Sequence, residues 1–246
     1  MEVSGRTVLI TGGASGIGLA LAERFLKAGS EVIICGRRDE KLREAQAAHP
    51  KLIIRTCDVE REDSRVTLIH DVIREFPRFD VLVNNAGIQQ YFQLTEPDRL
   101  EMVRKELTIN LEAPLHLAML CLPHFLSVSR AAILNVTSGL AFVPMTRAPV
   151  YCATKAALHS LTLSLRYQLS GSKVEVIEII PPAVNTDLGG PRLHTFGIPV
   201  DTLADVVFEG LARGQQEITH SFSHQTSHGT REERDALFQR INPPKT

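Results

Sequence analysis

The stretch Thr7–Gly29, TVLITGGASGIGLALAERFLKAG, reads as three consecutive elements. Thr7 to Ile10 is a short β-branched apolar run, TGGASGIG is a glycine-rich turn, and LALAERFLKAG has helical periodicity. Gly29 closes that helix, and Glu31 to Cys35 (EVIIC) is the next strand. Gly12, Gly16 and Gly18 therefore fall between a strand and a helix N-terminus. Free amides and the positive end of the helix dipole favour a phosphate there, and glycines let the backbone approach it closely. A merely structural turn is the plainer alternative, since the spacing is not G-x-G-x-x-G.

Working outward, the strand–helix alternation repeats. A helix near Glu40–Ala48, a strand Leu52–Thr56 and a helix near Ser64–Phe76 precede Asp80–Asn84 (DVLVN). The last of these is apolar on both faces, as in a parallel sheet covered on both sides. Leu107–Leu126 is a long segment, apolar almost all round. Ala131–Val136 is a fifth strand, Val150–Leu169 a long helix and Val174–Ile180 a sixth strand. No composition break interrupts them. The expected fold is one α/β domain over residues 1–246, a doubly wound, Rossmann-type, mostly parallel sheet of about seven strands with helices on both faces.

After Pro181 the regularity ends. A Gly/Pro-rich loop over about 186–200 is expected to border the substrate. A helix Thr202–Arg213, a last strand Glu217–Thr219 and a helical tail over about 230–242 follow. The tail opens with a Thr230-x-x-Glu233 capping box, turns Leu237, Phe238 and Ile241 inward, and stops at Pro243 and Pro244.

The composition, with 43% hydrophobic and 22% charged residues and a net charge of −1, is that of an ordinary globular chain. It offers no field to attract nucleic acid or an anionic membrane. No apolar run approaches a bilayer span and the N-terminal residues lack the pattern of a signal peptide. Cys35, Cys57, Cys121 and Cys152 are widely spaced, as reduced thiols of a cytoplasmic protein would be. His220, His224 and His228 recur every four residues, but HSFSHQTSH is polar and loop-like without a carboxylate, so no metal is expected there.

Two further places bear on chemistry. After the second strand the chain reads Cys35-Gly36-Arg37-Arg38, without the acid that usually holds a cofactor ribose lacking a 2′-phosphate. Arg37 and Arg38 would suit a 2′-phosphate, favouring NADP(H) over NAD(H), unless they are a solvated start to the next helix. Tyr151 and Lys155 stand four residues apart, so on a helix they share a face, and an ammonium there would favour the phenolate.

Together with Asp58-Val59, Asn84-Asn85-Ala86-Gly87, Asn110 and Ser138, these motifs make the chain resemble the short-chain dehydrogenase/reductase family over nearly its whole length. Within the family, EIIPPAVNTDL and the tail are similar to the bacterial dltE-like oxidoreductases.

The resemblance implies Tyr151 as general acid or base, with its pKa lowered by Lys155 and by the positive nicotinamide of the oxidised cofactor. It also implies Lys155 on the nicotinamide ribose, Ser138 on the substrate oxygen and Asn110 holding a water. Ser15 and Ile17 would join Gly12, Gly16 and Gly18 on the phosphate side. Asp58 and Val59 would flank the adenine, with Asn84, Ala86 and Gly87 beneath its ribose. Thr186, with Pro181 and Val184 nearby, would hold the carboxamide, although Pro182 replaces a usual glycine.

A pocket walled by Gln89–Phe92, Leu140–Met145 and the loop after Thr186 would take a small carbonyl or alcohol. Arg147, Arg192 and His194 are either anion anchors or solvated loop residues. The two long helices, Leu107–Leu126 and Val150–Leu169, are too apolar for one-sided burial, so they are either wholly internal or bury a second face against another subunit. The resemblance implies the latter, a homodimer or homotetramer. The implied activity is NADP(H)-dependent hydride transfer. A redox sensor without catalysis, or an epimerase or dehydratase with a transient hydride step, is the alternative.

Overall fold

The computed structural model describes residues 1–243, so Pro244 lies outside the described residues. Seven parallel strands form one sheet. They are β1 (Thr7–Thr11), β2 (Glu31–Gly36), β3 (Ile53–Thr56), β4 (Val81–Asn84), β5 (Ala131–Val136), β6 (Val174–Ile180) and β7 (Glu217–Thr219). Their spatial order is β3-β2-β1-β4-β5-β6-β7. The chain first winds one way from β1 and then returns to add β4 on its other side. The carboxyl ends of β1 and β4 therefore flank a switch point, where open α/β sheets bind ligands.

Alternation along the strands divides the core in two. Val8, Ile10, Val32, Ile34, Val81 and Val83 face one layer. That layer holds α1 (Gly16–Lys27), α2 (Asp39–Ala48) and α7 (Val200–Ala212). Leu9, Ile33, Cys35 and Leu82 face the other, built from α3 (Glu62–Glu75), α5 (Ala113–Ser127) and the end of α6 (Pro149–Gln168). Each such fully buried aliphatic side chain contributes about 1.5–3 kcal/mol.

Leu107–Leu126 is helical throughout, as expected, but not as one regular α-helix. Helix α4 (Leu100–Leu107) passes through a π turn, Thr108–Glu112, before α5 begins. The polar HSFSHQTSH segment is also not a loop, because Phe222–His228 forms α8, in which the His224 and His228 rings stack at 4.4 Å. Packing rather than propensity holds it. Ser223 and Thr226 are fully buried, and a Cβ on Gly139 would stand 3.0 Å from Thr226 Oγ1. Helix α9 (Arg231–Ile241) has the expected capping box between Thr230 and Glu233.

Candidate active site

The carboxyl edge of the sheet gathers the sequence motifs. In the turn after β1, Gly12 has φ 65°, and a Cβ there would lie 3.0 Å from Ala86 Cα. A Cβ on Gly18 would lie 2.5 Å from Asn85 Nδ2. These glycines thus serve close packing between the β1 turn and the β4 loop as well as any ligand. Asn85 Nδ2 donates to Thr11 O at 2.9 Å, and Thr11 Oγ1 accepts from the Asn85 and Ala86 amides, both at 3.0 Å. A phosphate suits the open end of this turn. Helix α1 starts at Gly16 behind Ser15, with no acidic residue in its first turn and no side chain capping its amides.

At the end of β2, Arg37 and Arg38 are exposed and pair with no carboxylate among the described residues, leaving both guanidiniums to a ligand or to water. At the end of β3, the Asp58 amide donates to Ser64 Oγ at 3.1 Å, and Val59 is buried. The two adjacent asparagines divide. Asn84 turns into the core, where its Nδ2 donates to Asn135 Oδ1 at 2.9 Å, so only its backbone borders the site. Asn85 carries the side chain that faces the glycine turn.

Tyr151 and Lys155 lie in the first turns of α6, both buried, with Lys155 Nζ 5.7 Å from the Tyr151 ring centre. The ammonium donates to Val136 O, at the end of β5, at 2.8 Å. Ser138 follows β5, and its Oγ accepts from the Leu140 amide at 3.1 Å. The Ser138 hydroxyl lies near enough to Tyr151 to favour phenol ionisation, yet burial outweighs it and pushes the phenol well above its ordinary value. Burial thus opposes the lowering expected from Lys155. Burial also brings the Lys155 ammonium down to about 8.

Asn110 sits in the π turn, and its amide is engaged throughout. Nδ2 donates to Ile88 O at 2.8 Å and Thr154 Oγ1 at 3.3 Å, while Oδ1 accepts from the Ile88 amide at 2.9 Å. The side chain thus braces the β4 loop against α6. The π turn displaces the ordinary helical ladder and brings Asn110 into that position.

The pocket wall assembles around Tyr151. Tyr91, Leu140, Met145 and Leu188 pack against Ala148, Tyr151 and Cys152. The loop after Thr186 is closed at its base by Asn185 N→Ile198 O (2.9 Å) and Ile198 N→Ala183 O (3.0 Å). Its Gly189 packs on Gln89 and Tyr91. Thr186 reaches Gly16, and the Pro181 carbonyl accepts from the Gly139 amide at 2.9 Å. Val184 is buried beneath the loop. Of the three candidate anion anchors, His194 is buried, Arg147 lies over the Tyr91 ring at 5.1 Å, and Arg192 is exposed. Among the described residues no group of three or more His, Cys, Asp or Glu side chains could hold a metal.

Sequence reasoning omitted Asn85, Thr154 and Glu106 from the site. For Asn85 a signal existed, because strand alternation forces one of two adjacent asparagines towards the turn.

A parallel sheet with a glycine turn at its switch point and a buried Tyr-Lys pair beside a serine defines a nucleotide-dependent dehydrogenase. The short-chain dehydrogenase family model matches residues 6–195, and the chain belongs to that family. It is thus an oxidoreductase acting on CH–OH groups. It is 44% identical to the oxidoreductase DltE of Bacillus subtilis, over 98% of both chains. Among solved structures, a short-chain dehydrogenase from Burkholderia cenocepacia in complex with NADP superposes with a TM-score of 0.86, at 25% identity over 99% of this chain and 100% of that one. A 3-ketoacyl-(acyl-carrier-protein) reductase from Brucella melitensis complexed with NADH gives 0.81, at 25% identity over 88% and 97%.

Proposed function

We propose that this chain is an NADP(H)-dependent enzyme interconverting a small carbonyl compound and its secondary alcohol, with Tyr151 as general acid and base. The carrying observation is the buried cluster of Tyr151, Lys155 and Ser138 at the carboxyl ends of β5 and α6's partner strands. When bound, the nicotinamide supplies or accepts the hydride. In reduction, the Tyr151 O–H bond breaks as the substrate oxygen takes the proton. Ser138 Oγ orients that oxygen towards the phenol. Lys155 stays charged near neutral pH and offsets the phenolate left behind. Leu140, Met145 and Leu188 keep water from the reacting carbon.

The turn of Gly12, Ser15, Gly16, Ile17 and Gly18 would hold the phosphates, with Asp58 and Val59 at the adenine and Asn84, Ala86 and Gly87 below its ribose. Pro181, Val184 and Thr186 would border the nicotinamide. Exposed, unpaired Arg37 and Arg38 favour NADP(H), although relatives of this fold hold either cofactor. A redox sensor would have no use for the buried acid. Tyr151→Phe should keep NADPH binding and lose at least about 100-fold in turnover, read by nicotinamide absorbance. Unchanged turnover refutes the reading.

The active form is a cytoplasmic homodimer or homotetramer. Met119 and Leu126 of α5 and Leu163 and Tyr167 of α6 are exposed apolar residues on helices otherwise packed inward. The described cysteines are all free, and no helix among the described residues is long and apolar enough to cross a membrane. A monomeric mass in solution would sink the oligomer.

A further inference from the structure

Glu106 is the one buried residue of α4, and it is 0% exposed. Its Oε1 accepts from the Gln90 amide at 3.0 Å. Its Oε2 is fully buried, and among the described residues it has no partner and no lysine or arginine forms an ion pair with it. A single backbone hydrogen bond does not offset the burial of a carboxylate, so the site favours the carboxylic acid. Helix α4 packs on α6, and the groups facing Glu106 from there are Lys155, Tyr151 and Cys152. From the β4 loop come the Gln90 amide and, next to Tyr151, the Tyr91 phenol. Gln90 Nε2 also donates to Met102 O at 2.8 Å, so the loop is tied twice to α4.

We propose that Glu106 is a positioning residue of the reaction, a buried carboxyl that holds Gln90 in place and, through its own proton, governs how readily Tyr151 releases one. This role rests on the reading given under Proposed function. When Tyr151 gives its proton to the substrate oxygen, the phenol O–H breaks and a phenolate remains beside the Lys155 ammonium. A protonated Glu106 adds no charge to that pocket. An ionised Glu106 adds a second negative charge and holds the phenol proton more tightly. Burial brings the Glu106 carboxyl up to about 7, with the Gln90 amide and then Lys155 opposing the rise, so the change falls near neutral pH.

Glu106→Gln preserves the acceptor for Gln90 but cannot ionise, which separates a titrating role from a tethering one. The first readout is the rate of NADPH oxidation with diacetyl as the carbonyl, from pH 6 to pH 8.5. Wild type should lose rate with a midpoint near 7. Glu106→Gln should lack that inflection and overtake wild type on the alkaline side.

The second readout needs no turnover. A carboxyl whose folded pKa is raised gives stability that is fully present below its unfolded value of 4.5 and lost as pH rises through about 7. The melting temperature of wild type should therefore fall relative to Glu106→Gln between pH 5.5 and 8.5. An offset between the two that is constant with pH overturns the proposal, as does a pH-dependent offset with identical rate profiles. A wild type with no rate on diacetyl at any pH, while its NADPH binding is intact, sinks the carbonyl-reduction reading and this role with it.

Discussion

The Asn242 carboxamide accepts the Thr146 amide at 2.7 Å and donates to Pro144 O at 2.9 Å. The end of α9 thereby clasps the segment Leu140–Met145, which packs on Tyr151. The same side chain donates to Phe238 O at 3.0 Å, so the clasp is fixed to its own helix. Asn242→Ala should leave the fold intact and loosen the wall. KM for a carbonyl substrate should rise about 3- to 10-fold, the loss of roughly one net hydrogen bond, with a smaller change in kcat. Steady-state kinetics of the variant checks this, and an unchanged KM would show the clasp to be dispensable.

The sheet was legible because its central strands β1, β4 and β5 bury both faces and so read as apolar runs between turn signals. The place of the candidate site was legible where a motif coincided with the end of a strand, as at Gly12 and Ser138. The π turn was not, since a slip from i+4 to i+5 pairing leaves the apolar pattern of Leu107–Leu126 almost unchanged. Helix α8 was hidden by a composition of poor helix formers, held helical by packing against Gly139 and α9. Glu106 stands among the charged residues of LEMVRKEL, and periodicity alone does not say that this one faces α6. The direction of the Tyr151 shift depends on burial, which the spacing of Tyr151 and Lys155 does not encode.

Lys155 is anchored to a main-chain carbonyl rather than to an acid, so its role cannot pass to another cation in the site. Lys155→Met should lose at least about 100-fold in turnover. It should also lose about 1–3 kcal/mol of stability, because Val136 O is left buried without that donor. Lys155→Arg should not restore activity, since the larger planar guanidinium does not fit the position of the ammonium. Turnover and denaturant unfolding of both variants provide the check.

His159 lies one turn beyond Lys155 on α6. Its Nδ1 is 2.8 Å from Glu178 Oε2, and Glu178 Oε1 accepts from Thr137 Oγ1 at 2.6 Å. The Phe142 ring meets the imidazole edge-on at 4.6 Å. This chain joins α6, β6 and the segment before Ser138. The hydrogen bond to Glu178 raises the His159 pKa above 6.5. Its stabilisation is therefore fully present below pH 6.5 and is lost as pH rises through the folded value. His159→Gln should lower the melting temperature by roughly 2–4 °C more at pH 6 than at pH 9. Equal losses at both would show that the ion pair contributes nothing.

Arg37 and Arg38 stand where β2 meets α2, exposed and, among the described residues, without acidic partners, while Asp39 one residue later is taken by Arg43 and Thr56. A 2′-phosphate near β2 would find two free guanidiniums, each able to offer paired donors. A cofactor ending in a 2′-hydroxyl would find no carboxylate to accept from it. Arg37→Asp exchanges the first situation for the second. It should weaken NADPH at least about 10-fold, the loss of one charge-assisted contact, and leave NADH binding equal or tighter. Fluorescence titration of the wild type and the variant with both cofactors gives the comparison. Equal affinities of the wild type for NADPH and NADH, unmoved by the substitution, would mean that these arginines face only solvent.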